Sequence, residues 1–163
     1  MSIKIDKMTN DEFEIFYQWS IEHHANDLIE ECHMSQEAAM KETKKEVAQM
    51  LPEGLNTEHN YLMTIKEKGS KEFIGFIWTI HEETEGRKQS FLCDFVIWES
   101  KRRKGYATAT LCLVEKHAAQ AGCQESVLFV ADKNFAARAL FKKCGYQFLR
   151  QENYGKYMVK QLH

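Results

Sequence analysis

Apolar positions change their period several times along the chain, and each change marks an element. Ile3 to Lys7 alternates apolar and polar residues, the period of a short edge strand. Thr9-Asn10-Asp11 then offers helix N-caps with Glu12 in the first turn. Phe13, Phe16, Tyr17, Ser20, Ile21 and His24 follow a helical repeat that Leu28 and Ile29 extend. Ser35 caps a second predicted helix with Ala38, Ala39 and Val47 among its small apolar positions. That helix stops near Met50, before the breaker Leu51-Pro52-Glu53-Gly54.

Residues 61–65 read as a strand, 68–71 as a hairpin-like turn, and 73–80 as a longer strand. The almost continuous apolar run of 73–80 suits a strand covered on both faces. Residues 82–87 are expected to form a polar turn, and 91–98 a strand with Asp94 embedded in it. A helix follows over about 105–121, with Ala107, Leu111, Val114 and Ala118 as its apolar stripe and Gly122 as its stop. Residues 126–131 form a buried strand, 134–143 a short helix closed by Cys144-Gly145, and 146–149 and 157–159 the last two strands. The order β-α-α-β-β-β-α-β-α-β-β predicts an α/β fold with one mixed sheet and helices on both faces. Neighbours joined by short turns pair antiparallel, and the two strands flanking the helix at 105–121 run parallel.

Composition agrees with this reading. The chain has 163 residues, 44% hydrophobic and 12% aromatic, with one proline, which favours one folded domain over 1–163 rather than disorder. No apolar run approaches the roughly 20 residues of a membrane span. The first residues lack the apolar core of a signal peptide, so a cytoplasmic protein is expected. Five cysteines without a Cys-x-x-Cys read as free thiols in a reducing compartment. His23 and His24 are adjacent, so on a helix they point in different directions, and no His-Glu-x-x-His occurs. No metal is expected.

The net charge of −2 hides an asymmetry: residues 1–60 carry 5 Lys/Arg against 13 Asp/Glu, and residues 61–163 carry 17 against 11. An acidic N-terminal part and a basic remainder suggest two different partners. The basic residues concentrate at Lys101-Arg102-Arg103-Lys104, between a predicted strand and helix. A helix N-terminus presents free backbone N–H groups and the positive end of its dipole, and anions bind there. Gly105 allows close approach and a positive φ. Ala107 is small, and Thr108 and Thr110 offer hydroxyls near the first turn. Neither Gly-x-x-x-x-Gly-Lys-Ser/Thr nor Gly-x-Gly-x-x-Gly is present.

Arg102-Arg103-Lys104-Gly105-Tyr106-Ala107 resembles the Arg/Gln-x-x-Gly-x-Gly/Ala signature of the GNAT superfamily of N-acetyltransferases. Roughly thirty residues on, Asn134, Ala137, Leu140, Gly145 and Tyr146 match that family's Asn-x-x-Ala-x-x-Leu-Tyr-x-x-x-Gly-Phe, again after a strand. Leu51-Pro52-Glu53-Gly54-Leu55 and Asp94-Phe95 are similar to a branch of small bacterial members. The resemblance is good over 60–163 and only in kind before that. It implies an acetyl-CoA-binding core over 60–163 and acceptor-side helices over 1–55.

The resemblance further implies direct acetyl transfer from acetyl-CoA to a primary amine. Pantetheine would add like a strand along Phe95, Val96, Ile97 and Trp98, and a backbone N–H there would polarise the thioester carbonyl. The amides of Arg103, Lys104, Gly105, Tyr106, Ala107 and Thr108 would hold the pyrophosphate. Arg102, Asn134, Phe141 and Lys143 complete the expected cofactor set, the basic side chain for the 3′-phosphate being open. Asp94, a lone acid in an apolar strand, is the candidate base; the alternative is that it only hydrogen-bonds its neighbours. The family's frequent acid is the Tyr of Leu-Tyr, which is Phe141 here and cannot donate a proton. Tyr106, Tyr146 and Tyr154 are candidate substitutes, with Tyr154 taken as the catalytic one. Cys93 is expected on the strand face opposite Asp94, as core.

Asp27, Glu30 and Glu31 fall at a helix end in the acidic part, which predicts a cationic acceptor: a polyamine, an amino sugar or a basic peptide amine. The expected partners are acetyl-CoA and that amine, with no nucleic acid and no membrane; a homodimer stays open. Phe141 keeps a second reading alive, a non-catalytic acyl-CoA binder or sensor. A nucleic-acid binder fits poorly with a net charge of −2 and a single basic cluster.

Overall fold

The computed structural model describes residues 2–162. Strand β1 (Ile3–Lys7) leads into helix α1 (Asn10–Cys32), whose start is fixed by a reciprocal cap. The Thr9 hydroxyl accepts from the Glu12 amide at 3.2 Å, and the Glu12 carboxylate accepts from the Thr9 amide at 2.9 Å. Helix α2 (Gln36–Met50) is capped by Ser35. Strands β2 (Asn60–Glu67), β3 (Phe73–Thr84) and β4 (Arg87–Ile97) follow, then α3 (Tyr106–Gln120), β5 (Glu125–Ala131), α4 (Phe135–Lys143), β6 (Gln147–Glu152) and β7 (Gly155–Gln161). The predicted order of elements is the observed one.

The seven strands form one sheet in the order β1-β2-β3-β4-β5-β7-β6, antiparallel except for the parallel pair β4–β5. The helix α3 is the crossover that a parallel pair requires. Each face of the sheet has its own core. Ile65, Ile77, Leu92 and Leu128 pack with Leu111 and Val114 of α3 and Phe141 of α4 on one face. Leu62, Phe76 and Trp78 pack with Phe16 of α1 and Val47 of α2 on the other. This double cover explains why β3 reads as a continuous apolar run. Among the described residues no helix is long and apolar enough to cross a membrane.

The expected polar turn at 82–87 is instead strand. The ladder β3–β4 continues to Thr84↔Arg87, and Glu85 and Gly86 make the turn with φ of 53° and 78°. Positive φ at both central residues matches the twist of a two-residue hairpin. This end of the hairpin projects past the helices, so its side chains are solvated and hydrophobic alternation is lost although the backbone pairing persists. The last hairpin also runs longer than its apolar residues suggest. β6 is exposed at every position because it is the sheet edge, and Tyr146 precedes it as a buried core residue.

Candidate active site

A one-residue irregularity in β4 shapes the centre of the molecule. Trp78 faces Asp94, but the next residue, Thr79, faces Leu92, so Cys93 is an extra residue in β4. Such a bulge reverses the alternation locally. Leu92 therefore belongs to the α3 side, while Cys93 and Asp94 both turn toward α1 and α2. The expectation that Cys93 lies opposite Asp94 is corrected by this bulge. The half-buried thiol is nevertheless held well above its ordinary pKa by burial and by the charge of Asp94, which leaves it a poor nucleophile.

The bulge also ends the pairing of β4 with β5. Gln89 to Leu92 pair with Glu125 to Leu128, and beyond Leu92 the parallel ladder stops. The remainder of β5 stays bonded to β7, and the remainder of β4 to β3. A cavity of about 800 Å³ lies where the strands part. Gly75 lets β3 hold β4 on its side of the gap, since a Cβ there would sit 2.0 Å from the Val96 carbonyl oxygen. The Trp98 amide donates to the Ile74 carbonyl at 2.8 Å. By strand alternation Val96 faces β3 as well, while the backbone groups of Phe95 and Ile97 face the gap. The expected run of free backbone over 95–98 is thus narrowed to Phe95 and the Ile97 N–H, since the Ile97 carbonyl accepts from Arg102. Trp98 is packed in the α1-side core, its indole donating to the Phe73 carbonyl at 3.2 Å.

The basic loop follows β4 directly and does not line this cavity. Arg102 folds back, its Nε donating to the Ile97 carbonyl at 2.8 Å. Lys101 pairs with Glu67 at 3.2 Å. Arg103 (φ 62°) and Gly105 (φ 84°) are both left-handed, and Gly105 is the N-cap of α3 with no side-chain cap. The first helical bond of α3 is from Ala109 to the Gly105 carbonyl, which leaves the amides of Tyr106, Ala107 and Thr108 without helical acceptors. Thr108 is exposed, but the Thr110 hydroxyl donates back to the Tyr106 carbonyl at 2.7 Å and is buried, so it is not a loop donor.

The second motif works mainly as a helix start. The Asn134 side chain accepts from the Ala137 amide at 3.2 Å, and Asn134, Ala137 and Phe141 line the cavity. Phe141 is buried edge-on against Tyr146 at 5.7 Å. Lys143 is exposed on the last turn of α4 and lies outside the cavity lining. Of the three candidate tyrosines only Tyr154 lines the cavity. Burial, and then the acids Asp27 and Glu31 and the thiol of Cys32, raise its phenol above the ordinary value. Tyr146 is bonded to Ser126 and Glu115 at 2.8 and 3.1 Å, and Tyr106 is in the core.

The other end of the cavity is built by α1 and α2. Asp94 is buried, with one carboxylate oxygen accepting from the Ser20 hydroxyl at 2.7 Å and the other 2.7 Å from His24 Nε2. Ser20 and His24 are one helical turn apart and reach Asp94 from the same face of α1. Burial works against the His24 charge, but the hydrogen bond to Asp94 and the negative charges of Asp94, Asp27 and Glu46 outweigh it and raise the imidazole above its ordinary value. Asp27 and Glu46 line the same end. Burial raises both carboxyls; for Glu46 its neighbour Glu42 adds to this, and for Asp27 the nearby His23 and His24 oppose it. Glu30 and Glu31, expected beside Asp27, instead bind Lys133 at 3.1 and 2.7 Å and tie α1 to the β5–α4 turn.

His24, Ser20 and Glu46 are site residues that the sequence reading did not single out. The one signal was the helical repeat itself, which places Ser20 and His24 on the apolar stripe of α1 with Phe13 and Phe16, where a polar side chain needs a partner.

A family model described as Acetyltransferase (GNAT) family matches residues 10–146. The chain is 29% identical over 147 residues to the uncharacterized N-acetyltransferase YycN of Bacillus subtilis (strain 168), covering 90% of this chain and 94% of that protein. It is 26% identical over 147 residues to the uncharacterized N-acetyltransferase YdgE of the same organism, covering 90% and 92%. The crystal structure of YycN from Bacillus subtilis has a TM-score of 0.85 at 27% identity, over 93% of this chain and 96% of that one. The PaiA N-acetyltransferase of Thermoplasma acidophilum, in complex with coenzyme A, has a TM-score of 0.72 at 17% identity over 99% of both chains, a likeness of fold.

Proposed function

Because this chain belongs to the acetyltransferase (GNAT) family, we propose that it acetylates a primary amine on a small molecule or peptide carrying further positive charge. It is an N-acetyltransferase with acetyl-CoA as cosubstrate. The observation that carries the cationic acceptor is the pair Asp27 and Glu46. Both face the cavity, and among the described residues neither forms an ion pair with Lys or Arg. Asp27 is half-buried, and a carboxylate partly desolvated without a partner is costly, a cost that a bound cation relieves; Glu46 is exposed and adds attraction for the same cation. Lys133 also borders the cavity, but its charge is taken by Glu30 and Glu31.

In this reading the cofactor side is served mainly by backbone. Phe95 and the Ile97 N–H pair with the pantetheine as an added strand, and one of these two N–H groups polarises the thioester carbonyl. The amides from Arg103 through Lys104, Gly105, Tyr106 and Ala107 to Thr108 hold the pyrophosphate. Arg102 fixes the end of β4 rather than meeting the anion directly. Asn134 and Phe141 wall the pantetheine, and Phe141 supplies no proton. Tyr154, still protonated at neutral pH, is the donor to the departing thiolate.

A panel of amines with acetyl-CoA tests the acceptor class, with coenzyme A release as readout. Polyamines, amino sugars and lysine-ended peptides are expected to turn over with kcat/KM at least ~10-fold above that of amino acids and anionic amines, the worth of about one charge-assisted hydrogen bond. Turnover confined to neutral or anionic acceptors would sink the cationic reading.

A further inference from the structure

An amine that arrives as an ammonium has no lone pair, so something at the acceptor end must take a proton before the C–N bond can form. With a reference pKa of about 10.4, a lysine-like amine is overwhelmingly protonated at neutral pH. Asp94 is the obvious acid in the strand, yet both of its oxygens are engaged, by Ser20 and by His24, at 2.7 Å each. A carboxylate held in this way directs its charge into the imidazole. The Nε2–H donates to Asp94, which fixes the tautomer with Nδ1 as the acceptor. No hydrogen-bond partner for Nδ1 occurs among the described residues, and His24 lines the cavity with its side chain 39% exposed. The arrangement is a base oriented by a third group, built by one turn of α1 and the bulge of β4.

We propose that His24 is the proton acceptor for the incoming ammonium, with Asp94 as its positioning residue and Ser20 holding Asp94. This rests on the cationic-acceptor reading above. The balance is simple. An N–H bond of the ammonium breaks and its proton goes to His24 Nδ1, leaving the electron pair on nitrogen. That pair forms the C–N bond at the thioester carbonyl carbon, and the C–S bond breaks with its pair on sulfur. The nitrogen gives its second proton to water as the amide forms, while Tyr154 protonates the thiolate and is reprotonated from water, so the products are an N-acetyl amine and the free thiol. His24 then returns its proton to water. No oxidant, metal or covalent acyl-enzyme is needed.

The groups around the imidazole set its pH range. Asp94 faces it from β4, Asp27 from its own helix and Glu46 from α2, all negative, while His23 stands edge-on at 5.5 Å. Tyr154 lines the same cavity from the β6–β7 turn and stays neutral. The net effect keeps His24 above its ordinary value, which makes it a stronger base that must be neutral to act. Activity therefore rises with pH through the His24 pKa.

The test is the pH profile of kcat/KM for an acceptor identified in the amine panel, in wild type, His24→Gln and Asp94→Asn, each checked for unchanged coenzyme A binding by calorimetry. Wild type is expected to rise through a single ionisation above about 6.5 and then stay flat until the amine itself deprotonates near 10.4. His24→Gln should lose about 100-fold at pH 7.5. It should also lose the plateau, climbing tenfold per pH unit because only the free amine then reacts. Asp94→Asn should keep the ionisation but move it to lower pH, which a purely structural role would not do. An unmoved plateau in His24→Gln overturns the proposal. So does a His24 imidazole resonance whose titration is unmoved in Asp94→Asn, read by NMR without any acceptor. Failure of the acceptor reading looks different: turnover of anionic amines alone, with the His24 ionisation still present.

Discussion

The two halves of the proposed site are made in different ways. In the proposed reading the cofactor half uses backbone amides: those of the α3 first turn, outside the cavity lining and set by the left-handed Arg103 and Gly105, and those of Phe95 and Ile97, where β5 leaves β4. The acceptor half of that reading uses side chains drawn from far apart in sequence: His24 and Asp27 from α1, Glu46 from α2, Asp94 from β4 and Tyr154 from the β6–β7 turn, with Ser20 of α1 behind the lining and bonded to Asp94. A site made of backbone demands particular conformations over a few consecutive residues, so it leaves a contiguous motif. A site made of side chains demands only that distant positions converge, so it leaves almost none. The bulge at Cys93 serves both ends at once. It ends the β4–β5 ladder where the strands part, and it turns Asp94 toward α1.

If the division is real, substitutions at the two ends should separate in their kinetics. The largest effect expected there is for Tyr154→Phe: kcat falls by ~100-fold with both KM values unchanged, because a proton donor to sulfur acts only in the reaction. Steady-state kinetics in both substrates decide it, and a kcat within ~3-fold of wild type would remove Tyr154 from the mechanism. Next comes Asp27→Asn combined with Glu46→Gln. Loss of both charges should raise KM for a polycationic acceptor by ~30-fold, about 2 kcal/mol, and leave KM for acetyl-CoA alone. Equal losses in both KM values would mean the two ends are not separable. The smallest is Gly105→Val. The left-handed conformation costs a β-branched residue about 1–2 kcal/mol, so KM for acetyl-CoA should rise by ~10-fold while acceptor KM holds. Coenzyme A titration by calorimetry reads this directly, and an unchanged affinity would show that the loop does not need its left-handed turn.

The amino-acid sequence by itself determined the order of elements, the mixed sheet covered on both faces, and the family. These rest on local physics: hydrophobic period, caps such as Thr9 and Ser35, and the conformational demands of Gly105 and Asn134 at helix starts. The sequence also marked Asp94, because an acid in an apolar strand must be partnered. Tertiary structure alone decided who the partners are. Periodicity put Ser20 and His24 on the buried stripe of α1 but could not say which strand residue lay beneath them. Perfect alternation, assumed for β4, sent Cys93 and Asp94 to opposite faces, and one inserted residue set them side by side. Glu30 and Glu31 look like acceptor ligands in a list of acids, yet Lys133, about a hundred positions away in the chain, claims both. The chain writes its backbone-made half locally; its side-chain half exists only once the sheet has brought α1, α2 and β4 together.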